Sequence, residues 1–208
     1  MNIIFDLDGT LICAKERLYR LFSDLVPEAK LTFDQYWQFK HARMSNLDIL
    51  GSRLGFDEAM LRQFEANWMS LIEDEEYLCL DTPINGALEC LEVLAAENSL
   101  YLCTARQSVS RAKEQLEKLG FAAFFEKLLV TQQSVTKESL ILGEVANLSG
   151  RDWIIGDTGK DIETGKLLKM NTCAVLSGFM NELNLIKYEP DKLLADVSLL
   201  PEFFSTIS

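Results

Sequence analysis

The stretch IIFDLDGTLI, residues 3–12, runs apolar residues straight into Asp6 and Asp8, two carboxylates separated by one leucine. Like charges that close repel, and burying them is costly unless a cation pairs with them. A plain strand end has no use for the pair, so the spacing implies a metal ion or a phosphate-binding group. Residues i and i+2 face the same side of an extended chain, so both carboxylates can address one phosphate. Four further residues share this chemistry. Thr104 ends LYLCT, Lys137 follows the strand KLLVT and opens a helix, and Asp157 and Asp161 stand in GDTGKD. Carboxylate oxygens are what a hard cation such as Mg²⁺ takes as ligands. A cation offsets the repulsion between the aspartates and a phosphate. A hydroxyl, an ammonium and turn N–H groups then hold the remaining phosphate oxygens. The chain has a single histidine, His41, in FKHARMS, which reads as a surface or packing residue. Acid–base work therefore falls to carboxylates. One aspartate would attack phosphorus and form an aspartyl phosphate, and a second would protonate the leaving oxygen and later activate water.

These residues converge only if the elements carrying them do. Residues 2–6 read as a short buried strand. From 14 to about 78 the pattern is helical. AKERLYRLFSDLV places Leu18, Leu21, Phe22 and Leu25 at helix spacing, TFDQYWQFK starts at a Thr32 cap, and SNLDILGSRLG and a segment capped by Asp57 follow. Four such helices make a small bundle. Thereafter strands and helices alternate: a helix over 84–96, LYLCT, a helix ending at Gly120, KLLVT, TKESLILGEVANL, DWIIGD, KDIETGKLLKM and TCAVL. Such alternation predicts parallel strands with right-handed crossovers, and ligands at the carboxyl ends of the strands. Each of the polar residues named above falls at such an end. The expected fold is α/β, a Rossmann-like parallel sheet core with an inserted α-helical cap. The core takes 1–13 and 80–208 and the cap 14–79, placed as a lid after the Asp-x-Asp turn.

The bulk properties narrow the class. At 208 residues the chain can bury roughly 70% of its unfolded surface without staples. The net charge of −12 argues against a nucleic-acid groove and against an anionic membrane surface. Five cysteines, at 13, 79, 90, 103 and 173, form no C-x-x-C pair and are odd in number, which fits reduced thiols. No basic and apolar leader precedes Asp6, and no apolar stretch approaches the ~18 residues of a membrane span. The expectation is a cytoplasmic protein, monomer or homodimer, acting on a small phosphorylated substrate.

DLDGTL, CTAR, TKESL and GDTGKDIETGK, in this order, resemble the four motifs of the haloacid dehalogenase superfamily, and the helical insert resembles its C1-type cap. The likeness spans nearly the whole chain and is nearest to phosphoglycolate-phosphatase-like enzymes. It implies a Mg²⁺-dependent phosphatase with Asp6 as nucleophile and Asp8 as general acid/base. It places Thr104 and Lys137, with Leu7 and Ala105, on the phosphate. It places Asp6, Asp157, Asp161 and Asp8, the last through its carbonyl, on the metal. Two departures stand out. Glu138 follows Lys137 where the family often has proline, and Lys169, Met170 and Asn171 replace small residues after the last motif. Lys127 is the substitute for Lys137 should that lysine be a solvated helix start.

Other readings share these residues. A phosphomutase resembling beta-phosphoglucomutase would keep both Asp6 and Asp8. A dehalogenase would lack Asp8. A signalling phosphoacceptor of the receiver type would be shorter and uncapped, and a non-enzymatic binding protein would keep the fold alone. Arg106 would reach a second substrate anion or pair with a surface acid. In the insert, Lys40 and Arg43 are candidate anion contacts for substrate specificity, and Trp37 and Phe39 read as bundle core.

Overall fold

The computed structural model describes residues 1–207 and divides into two compact units. One comprises Met1–Cys13 with the chain from Pro83 onward, the other Ala14–Thr82.

The first unit is built on a six-stranded sheet of β1 (Asn2–Phe5), β4 (Ser99–Thr104), β5 (Phe125–Val130), β6 (Trp153–Gly156), β7 (Asn171–Val175) and β8 (Lys192–Leu194). Two two-residue strands, β2 (Ile12–Cys13) and β3 (Thr82–Pro83), stand outside it. The order across the sheet is β5-β4-β1-β6-β7-β8, and every pairing is parallel. All carboxyl ends therefore lie along one edge, and the order reverses at β1, between β4 and β6. That reversal is where a crevice opens in such sheets.

The apolar runs are buried on both faces, as a covered parallel sheet requires. Ile3 and Phe5, Leu100 and Leu102, Trp153 and Ile155, and Cys173 and Val175 all turn to one face. There they pack on α6 (Ala87–Ala95), α7 (Val109–Lys118) and α11 (Leu200–Ile207). The alternate residues Ile4, Cys103 and Ile154 turn to the other face, with Ile141 of α8 (Lys137–Glu144). On that side Ile162 of α9 (Gly159–Leu167) meets Ala174 and Leu185. This is the strand period of two written into a core.

The second unit is a cluster of helices: α1 (Lys15–Leu25), α2 (Phe33–His41), α3 (Asn46–Ile49), α4 (Glu58–Leu71) and α5 (Glu75–Leu78). Thr32 caps α2 with a capping box through Gln35, and Asp57 caps α4. Leu21, Ile72 and Tyr77 form its small core, beside an aromatic set of Tyr19, Phe22, Tyr36 and Phe64. Arg17 and Asp81, almost fully buried, pair at 2.8 Å and tie the start of the unit to its end.

The structure departs from the sequence reading in four places. SNLDILGSRLG is one short helical turn continued by a π-turn over Leu50–Leu54, stopped by Gly55 at φ 67°. The segment from Asp57 breaks at Ile72, and Asp74 starts the separate α5. α8 ends at Glu144 because Val145 turns extended to enter the core, and α9 ends at Leu167, before Lys169 takes a left-handed conformation. The strand β8 and helix α11 carry too little pattern to read. β8 is three half-buried residues whose pairing with β7 fixes it.

Candidate active site

The site begins where β1 stops. The Asp6 N–H donates to the Ile155 carbonyl at 2.9 Å, extending the β1–β6 ladder by one residue. The chain then folds into a tight turn in which the N–H groups of Thr10, Leu11 and Ile12 all donate to the Leu7 carbonyl, and Gly9 has φ 91°. That turn needs glycine. The Leu7 side chain is driven into the core, which leaves Asp6 and Asp8 on either side of it to reach other partners.

Asp6 meets Lys137. Thr136 caps α8 through Ser139 N–H, so Lys137 is the first residue of a defined helix. Its Nζ lies 2.6 Å from Asp6 Oδ1 and 2.6 Å from Asp161 Oδ1. Asp161 is in turn the third residue of α9. Its Oδ2 accepts from the N–H and hydroxyl of Thr158 in a capping box, at 3.1 and 2.7 Å. Gly156 is required here, since a Cβ would fall 2.2 Å from Asp161 Cγ.

Asp157 is fully buried. Its Oδ2 accepts from the Phe179 N–H at 2.7 Å, whereas its Oδ1 is buried with no hydrogen-bond partner among the described residues. Gly9 and Gly178 close over it, and a Cβ on either would collide with the carboxylate. Carboxylate oxygens of Asp6, Asp157 and Asp161 all lie within 4.8 Å of one another.

The electrostatics follow from this crowding. Burial pushes Asp6 up to about 7, against the pull of Lys137 and with the push of Asp161. Burial, then the charges of Asp6 and Asp161, hold Asp157 well above the carboxylate range. Burial works against the Lys137 charge, yet Asp161 and Asp6 outweigh it and keep the ammonium protonated. Three carboxylates share one ammonium, so the cluster is short of positive charge. The orphaned Asp157 oxygen and the all-oxygen donor set fit a hard divalent cation.

The remaining predicted residues are placed as follows. Thr104 ends β4, buried, and its carbonyl accepts from Thr131 N–H at 3.0 Å. Ala105 is exposed, and its carbonyl accepts from the Gln133 side chain. Arg106 is buried, and its Nε and Nη2 donate to the two carboxylate oxygens of Asp8 at 2.6 and 2.8 Å. Lys127 lies in the middle of β5 and pairs with Glu144 at 2.9 Å, so Lys137 is the lysine among the aspartates.

Lys40 and Arg43 belong to the helical unit. Lys40 Nζ donates to Asn46 Oδ1 at 3.3 Å above the Tyr36 ring, and burial lowers it to about 8, with Asp48 opposing. Arg43 is exposed, with a left-handed backbone at φ 67°. Trp37 is buried and Phe39 half-buried, under the Arg53 guanidinium.

Sequence reasoning passed over the segment Ser177–Phe179. Ser177 Oγ donates to the Gly9 carbonyl at 2.7 Å, and Phe179 N–H holds Asp157. No side-chain charge or periodicity marks it. The one available signal is Gly178, shortly past the end of a buried strand.

The family model described as haloacid dehalogenase-like hydrolase matches residues 3–175. Among solved structures, a haloacid dehalogenase-like hydrolase of Streptococcus pneumoniae superposes with TM-score 0.81 at 19% identity, over 98% of this chain and 97% of that one. A predicted phosphoglycolate phosphatase of Haemophilus somnus gives TM-score 0.78 at 17% identity, over 97% and 96%. A Bacillus subtilis protein solved with magnesium bound gives 0.67 at 19%, over 98% of each. At these identities the likeness is one of fold. No curated protein sequence matches the chain.

Proposed function

The chain belongs to the haloacid dehalogenase-like hydrolases, and on that footing we propose that it is a Mg²⁺-dependent phosphatase acting on a small phosphorylated metabolite through an aspartyl phosphate. The observation that carries the reading is the Asp6 carboxylate, buried beside Asp157 and Asp161 with Lys137 Nζ at 2.6 Å, while Asp8 stands two residues on, outside that cluster.

Asp6 is the nucleophile. Its carboxylate attacks phosphorus, the bond from phosphorus to the leaving oxygen breaks, and Asp8 gives that oxygen its proton. A water then attacks the aspartyl phosphate, Asp8 takes the water's proton, and Asp6 is regenerated as inorganic phosphate leaves. Lys137, the Thr104 hydroxyl and the N–H groups of Leu7 and Ala105 hold the phosphoryl oxygens as charge moves onto them. Asp6, Asp157, Asp161 and the Asp8 carbonyl are the residues that would hold Mg²⁺, which when bound neutralises the charge of the aspartates and of the phosphate. No helix among the described residues is long and apolar enough to cross a membrane, which is compatible with a cytoplasmic site of action.

The test is phosphate release from a panel of small phosphate esters, with Mg²⁺ and with chelator, for wild type, Asp6→Asn and Asp8→Asn. Release that requires Mg²⁺, is abolished in Asp6→Asn and falls about 10²–10⁴-fold in Asp8→Asn supports the reading. A phosphorylated isomer in place of inorganic phosphate would identify a mutase. No release from any ester by a protein that still binds Mg²⁺ would sink the proposal.

A further inference from the structure

The site holds a half-buried ammonium and a buried guanidinium, and they do different things. Lys137 is committed to Asp6 and Asp161. Arg106 is committed to Asp8, 98 residues away in sequence, with its Nε at 2.6 Å from Oδ2 and Nη2 at 2.8 Å from Oδ1. We propose that Arg106 is the positioning residue of the acid/base, aiming the Asp8 carboxylate at the leaving-group oxygen in the first step and at the attacking water in the second. The inference rests on the phosphatase reading above.

The geometry is more than a charge contact. A guanidinium presents two parallel N–H groups in a plane, and a carboxylate accepts them in the same plane, so the pair fixes both the place and the rotation of the acid. An ammonium would fix neither. A carboxylate oxygen can accept more than one hydrogen bond, so the Arg106 contact by itself holds the carboxylate without exhausting it. The Arg106 side chain is 3% exposed and that of Asp8 19%, so the guanidinium is locked in the protein while the carboxylate it holds keeps some exposure.

The backbone under Arg106 is held as well. The carbonyls of Thr104 and Arg106 accept from the N–H groups of Thr131 and Gln132, and the Ala105 carbonyl accepts from Gln133 Nε2. To make those contacts Gln132 and Gln133 both adopt left-handed backbones, at φ 52° and 55°. Two successive non-glycine residues in that conformation persist only where the surroundings impose it. The loop after β5 thus clamps the loop after β4, and the product of the clamp is a fixed guanidinium.

The role has a kinetic signature that a scaffold role lacks. An alkyl phosphate needs a proton on its leaving oxygen, whereas a nitrophenyl phosphate leaves as a stable phenolate. The ratio kcat/KM reports only the steps through loss of the leaving group, while kcat includes attack by water. The experiment compares wild type, Arg106→Met and Arg106→Lys on 4-nitrophenyl phosphate and on the best alkyl ester of the panel, with Mg²⁺ binding followed by calorimetry.

The expected result is a fall in kcat/KM of about 10²-fold on the alkyl ester, the order that misplacement of a catalytic group produces. On the nitrophenyl ester kcat/KM stays within a few-fold while kcat and KM fall together. Arg106→Lys gives the same pattern, and Mg²⁺ affinity is retained in both variants, which also reports that they fold. If Arg106→Met does not fold, Arg106→Lys carries the test. Equal losses of kcat/KM on both esters would overturn the inference and leave Arg106 a structural residue. A raised KM on the alkyl ester with kcat intact would overturn it in favour of direct substrate binding. A wild type silent on every ester would overturn the phosphatase reading itself, and this inference with it.

Discussion

Asp157 shows what single residues decide here. Its carboxylate is fully buried, with one oxygen on the Phe179 N–H and the other without a partner among the described residues. The walls that aim it are Gly9 and Gly178, where a Cβ would stand 2.5 and 1.9 Å from Asp157 Oδ2. Gly178→Ala should therefore turn the carboxylate without touching any proposed ligand. Groups that orient a metal ligand contribute about 10–100-fold to affinity, and a loss of that size in Mg²⁺ binding is expected by calorimetry. Unchanged affinity would mean that the loop, not the side chain, gives way. The carboxylates were legible in the sequence because charge on a buried run is anomalous. Gly178 was not, because its importance lies in a contact with a residue far back along the chain.

At the scale of elements, α2 carries a second anomaly. Lys40 is held at about 8, below its usual 10.5, by burial beside Tyr36 and Asn46. The sign follows directly. Between about 8 and 10.5 the unfolded chain binds a proton that the folded chain has released, so folding stability from this group rises with pH across that window. Below it both states are charged, and the fold carries the full cost of a buried ammonium. Lys40→Met lacks this linkage. Its stability relative to wild type should be highest near pH 7 and drop by about 2–3 kcal/mol by pH 10.5, at about 1.4 kcal/mol per pKa unit. Urea midpoints of both proteins at the two pH values measure it, and a difference that does not change with pH would refute it. The helix itself was legible from Thr32 and its spacing. The polar cluster was not, because Asn46 belongs to the next helix.

For the whole molecule the dominant fact is surplus negative charge, −12 overall, with three carboxylates gathered at one buried point around a single ammonium. Folding must bring these charges together before any cation offsets them. Mg²⁺ should therefore stabilise the native state, by about 2.7 kcal/mol at a concentration about 100 times its Kd. Asp157→Asn should do the reverse on two counts. It should raise the melting temperature of the metal-free protein, by replacing a carboxyl whose ionisation burial and the neighbouring aspartates oppose with an amide that never ionises, and abolish the response to Mg²⁺. Melting curves with and without the ion check both. An Asp157→Asn variant that melts lower and still responds would place the cation elsewhere.

The sequence by itself determined the fold class, since strand and helix periods alternate along it and two carboxylates end a buried strand. It also singled out Asp6, Asp8, Thr104, Lys137, Asp157 and Asp161, because each sits where a parallel sheet must present its ends. Periodicity and charge are local properties, and a linear chain displays them. Tertiary structure alone decided the partnerships. Lys137 rather than Lys127 stands between the aspartates, Arg106 grips Asp8, and Gly178 closes on Asp157. Each joins residues from different strand ends, and the distances between them exist only once the order β5-β4-β1-β6-β7-β8 has set those ends side by side.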